Sequence, residues 1–485
     1  MSLTAALNSA KMSLSANAKQ TSVSARNVAG ASDPNYSRKL APLITVPGGV
    51  RATGPQRVVD VLLYNRLVGA TSVSERESVL LEGLTRLSDT VGDTQGGHSL
   101  VARIGDVASA LSAYANAPAD DNLAREAISK AKDLAEGLNE AAKVVKEVHD
   151  NANADLKASV DNINTKLAEF EQLNTRIVRG TVTGVDVTDD LDRRDAIVKE
   201  LSSELGVSTM TRANNDLVLY TDSGVTLFET SARQVVLTPV PSPAGENQLF
   251  IDGVQVTGAG SSMPLKEGKV VGLVELRDDI AGEYAKQLDE VALGLITAFK
   301  ETDPATTPTL PDVAGLFVNS AAEPPATPVD IPPVAPASAK AGWLASSIIV
   351  NSAVDPAKSG DPTKLRDGIN PGYDYNPDSY PSFGDHLTGL GESLQSDLNA
   401  GGKTVLDYAA STVSWVESQR QASDSANVYN NAMVQQLTMA LSNARGVDLN
   451  DETALQLELE RSFAASAQLI SVVDRMFQSL LDAIR

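Results

Sequence analysis

A mainly α-helical fold with an inserted antiparallel β domain is predicted by three observations. Aromatic residues make up only 4% of the 485-residue chain, so its cores must be built from Leu, Val, Ile and Ala, a helix-bundle composition. From Asp121 to Ile177 there is no proline and one glycine, Gly137, while apolar residues recur at three- and four-residue steps. Between 206 and 262 the apolar period changes to two. At roughly 150 residues per domain the length suits about three domains.

The elements follow in order. Residues 3 to 28 place Leu3, Leu7, Ala10, Leu14, Thr21 and Val28 on a weak amphipathic stripe padded with Ala, Ser and Asn, ended by Gly30 and Pro34. A second helix is predicted over 71–92, with Val73, Leu80, Leu84, Leu87 and Val91 near heptad register, and a third over 100–115. Pro118-Ala119-Asp120-Asp121 reads as a helix start, since carboxylates suit the exposed N–H groups there. The stripe that follows, through Leu134, Val145, Leu156, Leu167 and Ile177, makes a rod of roughly 85 Å. Rods of that length are seldom built for small-molecule catalysis.

In the β region, Leu217–Tyr220 and Val225–Phe228 flank Asp222-Ser223-Gly224, and Leu249–Ile251 and Val254–Val256 flank Asp252-Gly253, a favoured hairpin turn. Helix resumes over 268–302. Nine of the 23 prolines fall between Pro304 and Pro336, predicting an extended linker or surface loop. Residues 340–400, rich in Gly, Asp and Ser, give no clear pattern. Helices are again expected over 404–444 and 451–485.

Composition excludes several functions. The 40 basic and 62 acidic residues leave a formal charge of −22, which does not suit a phosphate-tracking surface, so no nucleic-acid partner is expected. Without cysteine there are no disulfides, thiolate metal sites or cysteine nucleophiles. His98, His149 and His386 stand far apart, outside any metal-binding spacing. No apolar run reaches 18 residues, so no membrane insertion is expected. Residues 1–32 carry Lys11, Lys19 and Arg26 without an acid, a transit-peptide composition, yet lack the apolar run of a secretory signal; export, if it occurs, takes another route.

The last helix carries the clearest pattern. Phe463, Ser466, Ile470, Val473, Phe477, Leu480 and Ile484 keep alternating steps of three and four, a coiled-coil seam that something outside the helix must cover. Residues 447–485 hold seven acids and three bases, against three bases and no acid in 1–32. Opposite charge on two striped end helices suits an antiparallel or subunit-to-subunit coil. Packing of both on the chain's own core is the alternative. The small residues of the first helix bury little area, which favours many copies side by side. Leu3, Leu7, Ala10, Leu14, Val28, Phe463, Ile470, Val473, Phe477, Leu480 and Ile484 are the candidate assembly residues.

No catalytic, cofactor or metal site is expected. Asp186, Asp189, Asp190 and Asp192 resemble an oxygen-rich cation cluster, but an acidic helix start capped by Thr188 explains them better. Gly402-Lys403-Thr404 resembles the end of a phosphate loop, which fails because Asp397 stands where glycine is needed. Carboxylate pairs on the long helices read as a solvated face, and no Gly-x-Ser-x-Gly elbow occurs.

Four ordered segments resemble one family. Asn27-Val28-Ala29 through Asp33-Pro34-Asn35-Tyr36-Ser37-Arg38 is similar to an Asn-Ile-Ala-Asn … Thr-Pro-Gly-Tyr-Ser-Arg signature, with Asp33 and Asn35 in place of Thr and Gly. Asp190-Leu191-Asp192-Arg193-Arg194-Asp195 with Leu201 resembles a Leu-Asp-x-Arg-Asp helix before the β domain, and Gly272-Leu273-Val274-Glu275-Leu276-Arg277-Asp278 its Gly-Leu-Leu-x-x-Arg-Asp helix after it. Gly446-Val447-Asp448-Leu449-Asn450-Asp451-Glu452, then Ala464–Ala467, Ile470 and Met476-Phe477, match the closing pattern, although Leu457–Arg461 replace a more apolar, Gln-rich turn. The chain thus resembles the flagellar hook-associated protein 1 family, at the hook–filament junction.

The resemblance implies a non-enzymatic structural subunit at the bacterial cell exterior, exported by the flagellar type III apparatus without a cleaved signal. Its implied partners are copies of itself, the hook protein, the next hook-associated protein and an export chaperone at the C-terminal helix. The expected division is a terminal coiled coil (1–35 with 450–485) lining an inner tube and a helical bundle (50–205 with 268–302 and 400–445). A β domain (206–267) and an irregular region (303–399) complete it. The terminal segments are expected to order on assembly, because neighbours supply the missing contacts. Two alternatives are another exported rod or hook subunit and a secreted effector or enzyme acting through the middle region.

Overall fold

The structure, a computed structural model, describes residues 3–91, 99–239, 246–305, 307–320, 331, 340–396 and 402–484. His98, Asp397 and most of the proline-rich stretch, 321–330 and 332–339, lie outside the described residues.

Helix α1 (Leu3–Gly30) leads into four short strands, β1 (Lys39–Leu40), β2 (Leu43–Val46), β3 (Gly49–Ala52) and β4 (Gln56–Arg57). In these, β2 and β3 form a hairpin and β1 pairs with β4, all antiparallel. Helices α2 (Val61–Val91), α3 (Leu100–Asn116), α4 (Asp121–Thr183) and α5 (Thr188–Glu204) follow. Helix α2 begins ten residues earlier than the sequence pattern indicates. Asp60 caps it by accepting the Leu63 amide at 3.0 Å, and the Tyr64 hydroxyl donates to the Asp195 carbonyl at 2.6 Å, which draws this first turn onto α5.

The spine is α4, whose 63 residues make a rod of about 95 Å. Asp120 accepts the Asn122 amide at its start, and Gly184, at φ 72°, closes it in the left-handed conformation that glycine adopts without strain. The sequence-derived stripe is buried along its whole length, from Leu134 through Leu156 to Ile177.

The β region consists of two three-stranded antiparallel sheets. One holds β5 (Val207–Thr211), β6 (Leu217–Thr221) and β7 (Thr226–Phe228); the other holds β8 (Val235–Pro239), β9 (Asn247–Ile251) and β10 (Val254–Gln255). Both hairpins turn where the sequence places them, with Asp252 and Gly253 at positive φ. These sheets lie directly on α4. Asn164 both donates to the Val235 carbonyl (2.8 Å) and accepts its amide (3.0 Å), Asn174 accepts the Leu217 amide (3.1 Å), and Phe170 meets Phe228 edge-on at 5.0 Å. Helices and sheets therefore share one continuous core.

The chain returns through α6 (Lys269–Val274), a π turn over Glu275–Ile280, and α7 (Ala281–Ala298). The expected helix to 302 stops early. Lys300–Glu301 become β11, paired with β12 (Val313–Ala314), because the buried Glu301 carboxylate accepts the Ile369 and Asn370 amides at 2.6 and 2.8 Å. Of the proline-rich stretch, residues 313–319 are neither exposed nor a linker. They form β12 and β13 (Phe317–Asn319), the latter paired with β14 (Ile348–Val350), and Phe317 and Val318 are fully buried. Short helices α8 (Lys364–Asp367) and α9 (Asp385–Ser393) occupy the previously unassigned region.

Two long helices finish the fold, α10 (Val405–Arg445) and α11 (Leu449–Ile484). Thr404 and Asp407, beside the failed phosphate motif, form the capping box that starts α10. Helix α10 runs antiparallel to α2, with Ser423 donating to the Glu77 carbonyl (3.3 Å) and Ser74 to Asn431 (2.8 Å).

Gly272 on α6 crosses α2 so closely that a β-carbon there would lie 2.7 Å from the Arg76 carbonyl oxygen. Gly272→Ala is expected to force the helices apart and cost about 1–3 kcal/mol, read as lower resistance to urea.

Candidate assembly interface

Helices α1 and α11 pair antiparallel. Ser13 bonds Ser466 (3.1 Å), Asn17 donates to Ser462 (2.8 Å) and Asn27 donates to Glu452 (3.0 Å); the residue numbers in each pair sum to 479. A single register therefore holds along the coil. On α11 the facing residues include Glu452, Leu459, Ser466 and Val473, seven apart and all buried. On α1 they include Ala10, Asn17 and Ser24, also seven apart and buried. Small and hydroxyl- or amide-bearing side chains let the backbones approach and bond across the seam. Polar seam positions fix register at a cost in stability.

The candidate residues divide between covered and open positions. Ala10 and Val473 are buried, and Leu3, Leu7, Leu14, Ile470 and Phe477 are half-buried. Three are exposed in the single chain. Val28 is 40% exposed because the seam at that level runs through Asn27; Phe463 is 47% exposed because Ser462 takes the facing place. Leu480, 46% exposed, lies past the level of Leu3, the first described residue of α1. The Ile484 side chain lies outside the described residues.

A second apolar stripe remains open on α11. Leu469, Val472, Met476 and Leu480 stand exposed at steps of three and four, with Leu481 beside the last. The β2–β3 hairpin covers another face of α1, where Gly49 sits against Met12 and Ser9, and it leaves Leu43 and Ile44 exposed. A further uncharged surface lies on the α2–α10 pair. Residues 425–444 contain no charged side chain, residues 61–74 contain only Arg66, and Leu62, Val428, Tyr429 and Met439 are exposed there.

Three of the four motif segments converge where the coil meets the body. Asn27 uses its whole amide: Nδ2 donates to the Lys39 carbonyl (2.9 Å) and to Glu452, while Oδ1 accepts the Lys39 amide (2.9 Å) and the Tyr36 hydroxyl (3.0 Å). Glu452, fully buried, also accepts Arg38 Nε at 2.8 Å. The buried Lys39 ammonium lies over the Tyr36 ring and pairs with Asp189 and Asp192. Arg57 binds Asp192 and Asp195 at 2.9 and 2.8 Å, and Arg26 binds Asp186 and Asp189 at 2.7 Å each.

The acidic cluster before α5 is thus a set of anchors for cations from the terminal segment. Thr188, expected as the cap, is the first helical residue; Val187 holds the cap position without a side-chain bond, and Asp186 before it accepts the Thr188 amide (3.0 Å) and hydroxyl (2.7 Å). Among the described residues no group of three or more carboxylates or imidazoles is arranged to hold a metal ion, and no helix is long and apolar enough to cross a membrane. The fourth segment works elsewhere: Arg277, buried in the π turn, donates to the Asn247 carbonyl (2.8 Å) and to Asn153 (3.2 Å), tying the second sheet to α4.

Residues 84–305, from the middle of α2 past α7, match the family model described as the flagellar hook-associated protein FlgK helical domain. Over this segment the chain is similar to the flagellar hook-associated protein 1 family. Residues 442–483, essentially α11, match the C-terminal region of flagellar basal body rod FlgEFG proteins. Flagellar hook-associated protein 1 of Escherichia coli is 26% identical over 310 residues, covering 60% of this chain and 54% of that protein. Its Salmonella typhimurium counterpart is 27% identical over 261 residues, covering 52% and 46%. In both, the chain spans about half the length of the relative. The Bacillus subtilis protein of that name aligns over 99% of this chain and 98% of its own length at 21% identity. The fold is shared with the flagellar hook junction protein FlgK from Burkholderia pseudomallei, at TM-score 0.59 and 15% identity, covering 78% of this chain and 99% of that one.

Sequence reasoning found the family segments but neither their convergence nor the polar seam on α1. The repeat of Ala10, Asn17 and Ser24 at seven residues was the available signal, hidden because an apolar template passes over Ser and Asn.

Asn27→Ala removes four hydrogen bonds and leaves the buried Glu452 with Arg38 alone. A loss of about 1–3 kcal/mol is expected, read as faster amide exchange in α1 and the start of α11 with α4 unchanged. Acid acts on the same junction. Burial alone would raise Asp186 and Asp189, but bonds from Arg26 and Thr188 to the first, and from Lys39 and Arg26 to the second, hold both below the ordinary 3.8. Their contribution is complete above that value and declines as pH falls through the lower folded values. Exchange in α1 should therefore accelerate below about pH 4, ahead of the α4 core.

Proposed function

We propose that this chain is a structural subunit of the bacterial flagellum that assembles at the hook end and joins hook to filament. The observation that carries the reading is the second, uncovered apolar stripe of α11 on a coil whose first stripe α1 already fills. A stripe of that regularity exposed to water is a surface awaiting a partner. The match to the helical-domain family model and the names of its relatives support copies of itself, the hook protein and the next hook-associated protein as partners.

In this role the coil of α1 and α11 lines the inner tube. The body, built on α4 and presenting its uncharged α2–α10 face, packs between neighbours outside it. The chain is exported through the flagellar type III apparatus without a cleaved signal, and an export chaperone holds α11 until delivery. It carries no catalytic function: the acidic residues beside α5 are engaged as structural anchors to Arg26, Lys39 and Arg57. The match of α11 to rod proteins favours a second reading, an exported rod or hook subunit.

Deletion of residues 450–485 is expected to leave a folded body, with the helical circular dichroism of α4 and α10 retained, that no longer caps hook fragments in negative-stain micrographs. Capping by the truncated chain would refute the role of the coil. Failure of the full chain to cap hook ends, with incorporation elsewhere in the axial structure, would favour the rod or hook reading.

A further inference from the structure

We infer that the Arg445 guanidinium, at the end of α10, is a receptor for an oxyanion, carboxylate or phosphate, that the chain does not itself supply; this goes beyond the junction reading and does not rest on it. Arg445 is the last residue of α10 and only 8% exposed. Its carbonyl accepts the Arg38 amide at 2.8 Å. Its side chain, in contrast, has neither a hydrogen bond nor an ion pair among the described residues. A charge withdrawn from water to that extent is costly unless it is paired. The C-terminal dipole of α10 offsets it only by the equivalent of about half a charge.

The carboxylates of the neighbourhood are already committed. The Ser74–Asn431 and Ser423–Glu77 contacts carry the end of α10 to the start of α2. There Asp60 caps α2 through the Leu63 amide, and Asp448, three residues beyond Arg445, accepts the Asn450 amide at 2.8 Å to start α11. Tyr64 reports the charge balance: burial and Asp195 push its hydroxyl well above the ordinary value, while Arg445, Arg194 and Arg57 oppose them. Of these three cations only Arg57 has carboxylate partners, Asp192 and Asp195. Arg194 donates to the neutral oxygens of Asn174 and Asn215. Arg445 is thus the cation left without an acceptor. The surface beside it is apolar, with Val61, Leu62 and Leu449 exposed on the adjoining helix ends and no charged residue over 425–444. An oxyanion arriving there meets a planar fork of paired donors in surroundings that screen the attraction little. The same chemistry can come from a free ion or from a side chain of another protein.

The test follows amide hydrogen exchange in the full chain at neutral pH, with inorganic phosphate as the probe against sodium chloride of equal ionic strength. At about ten times its dissociation constant, phosphate should slow exchange over 58–64 and 441–448 about tenfold. Arg445→Met, which keeps the buried stem, should abolish that response, and Arg445→Lys, which keeps the charge without the fork, should retain a weaker one. Exchange in α4 that matches the natural chain in chloride shows that a variant is folded. No slowing in the natural chain overturns the inference, and so does equal slowing in Arg445→Met, which would be a general salt effect. The two sources are told apart in chain bound to hook fragments. Slowing by phosphate that persists there identifies a free ion as the ligand; protection over 441–448 that is complete without phosphate, and lost in Arg445→Met, identifies a protein carboxylate. Failure of the chain to bind hooks counts against the junction reading alone, since the measurement on the isolated chain decides this inference.

Discussion

A buried carboxylate fixes where the two ends of this chain meet. Glu452 sits out of water at the start of α11, bound by Asn27 from α1 and by Arg38 from the segment that follows. A charge so placed is costly unless its partners are held in position, so the contact tolerates little displacement. Once it is set, the register of the whole coil follows, because Ser13 and Asn17 can find their hydroxyl partners at only one stagger. The same Asn27 reaches Lys39, and through Lys39 and Arg57 the terminal segment is bound to the carboxylates of α5. Coil and body are thereby joined through a compact polar cluster, not through a broad apolar contact.

The body depends on a different economy. Helix α4 buries one face over its full length and accepts helices on some sides and two sheets on another. Asparagines on that helix satisfy the backbone at the sheets' approach, so that strands too short to stand alone become part of a helical core. Arg277 does the same for the second sheet from the opposite side, at the cost of a π turn that carries its side chain inward.

The pairing of α1 with α11 leaves surfaces that water alone does not favour. One stripe of α11 is filled; the other is not. The hairpin on α1 covers one flank of that helix and exposes Leu43 and Ile44 beside it, while the α2–α10 pair presents an uncharged band. These surfaces lie on elements at or near the chain's two ends. The proteins to which the chain is similar are flagellar by name.

Much of this was legible in the amino-acid order. The span of α4, both hairpin turns, the terminal helices and the non-helical middle all follow from local periodicity and turn chemistry, which act over a few residues and need no neighbours. The early start of α2 escaped because its first turn is held by the bond from its Tyr64 hydroxyl to the Asp195 carbonyl on the distant α5. The strands at 313–319 and 348–350 escaped because their apolar runs are too short to declare themselves without each other. Within the coil, Ala10 and Val473 are buried and Ile470 and Phe477 half-buried, whereas Phe463 and Val28 are exposed and Ser462 and Asn27 take the facing places. A hydrogen bond across a coil can outrank a larger apolar side chain for the central position, and no pattern within one helix shows which hydroxyl has a partner on the other. By itself the sequence determined the helices, the turns and one apolar stripe on each terminal helix. Which side chains are covered from within, and which stay exposed, was decided only when residues some 425 positions apart came within 3.0 Å.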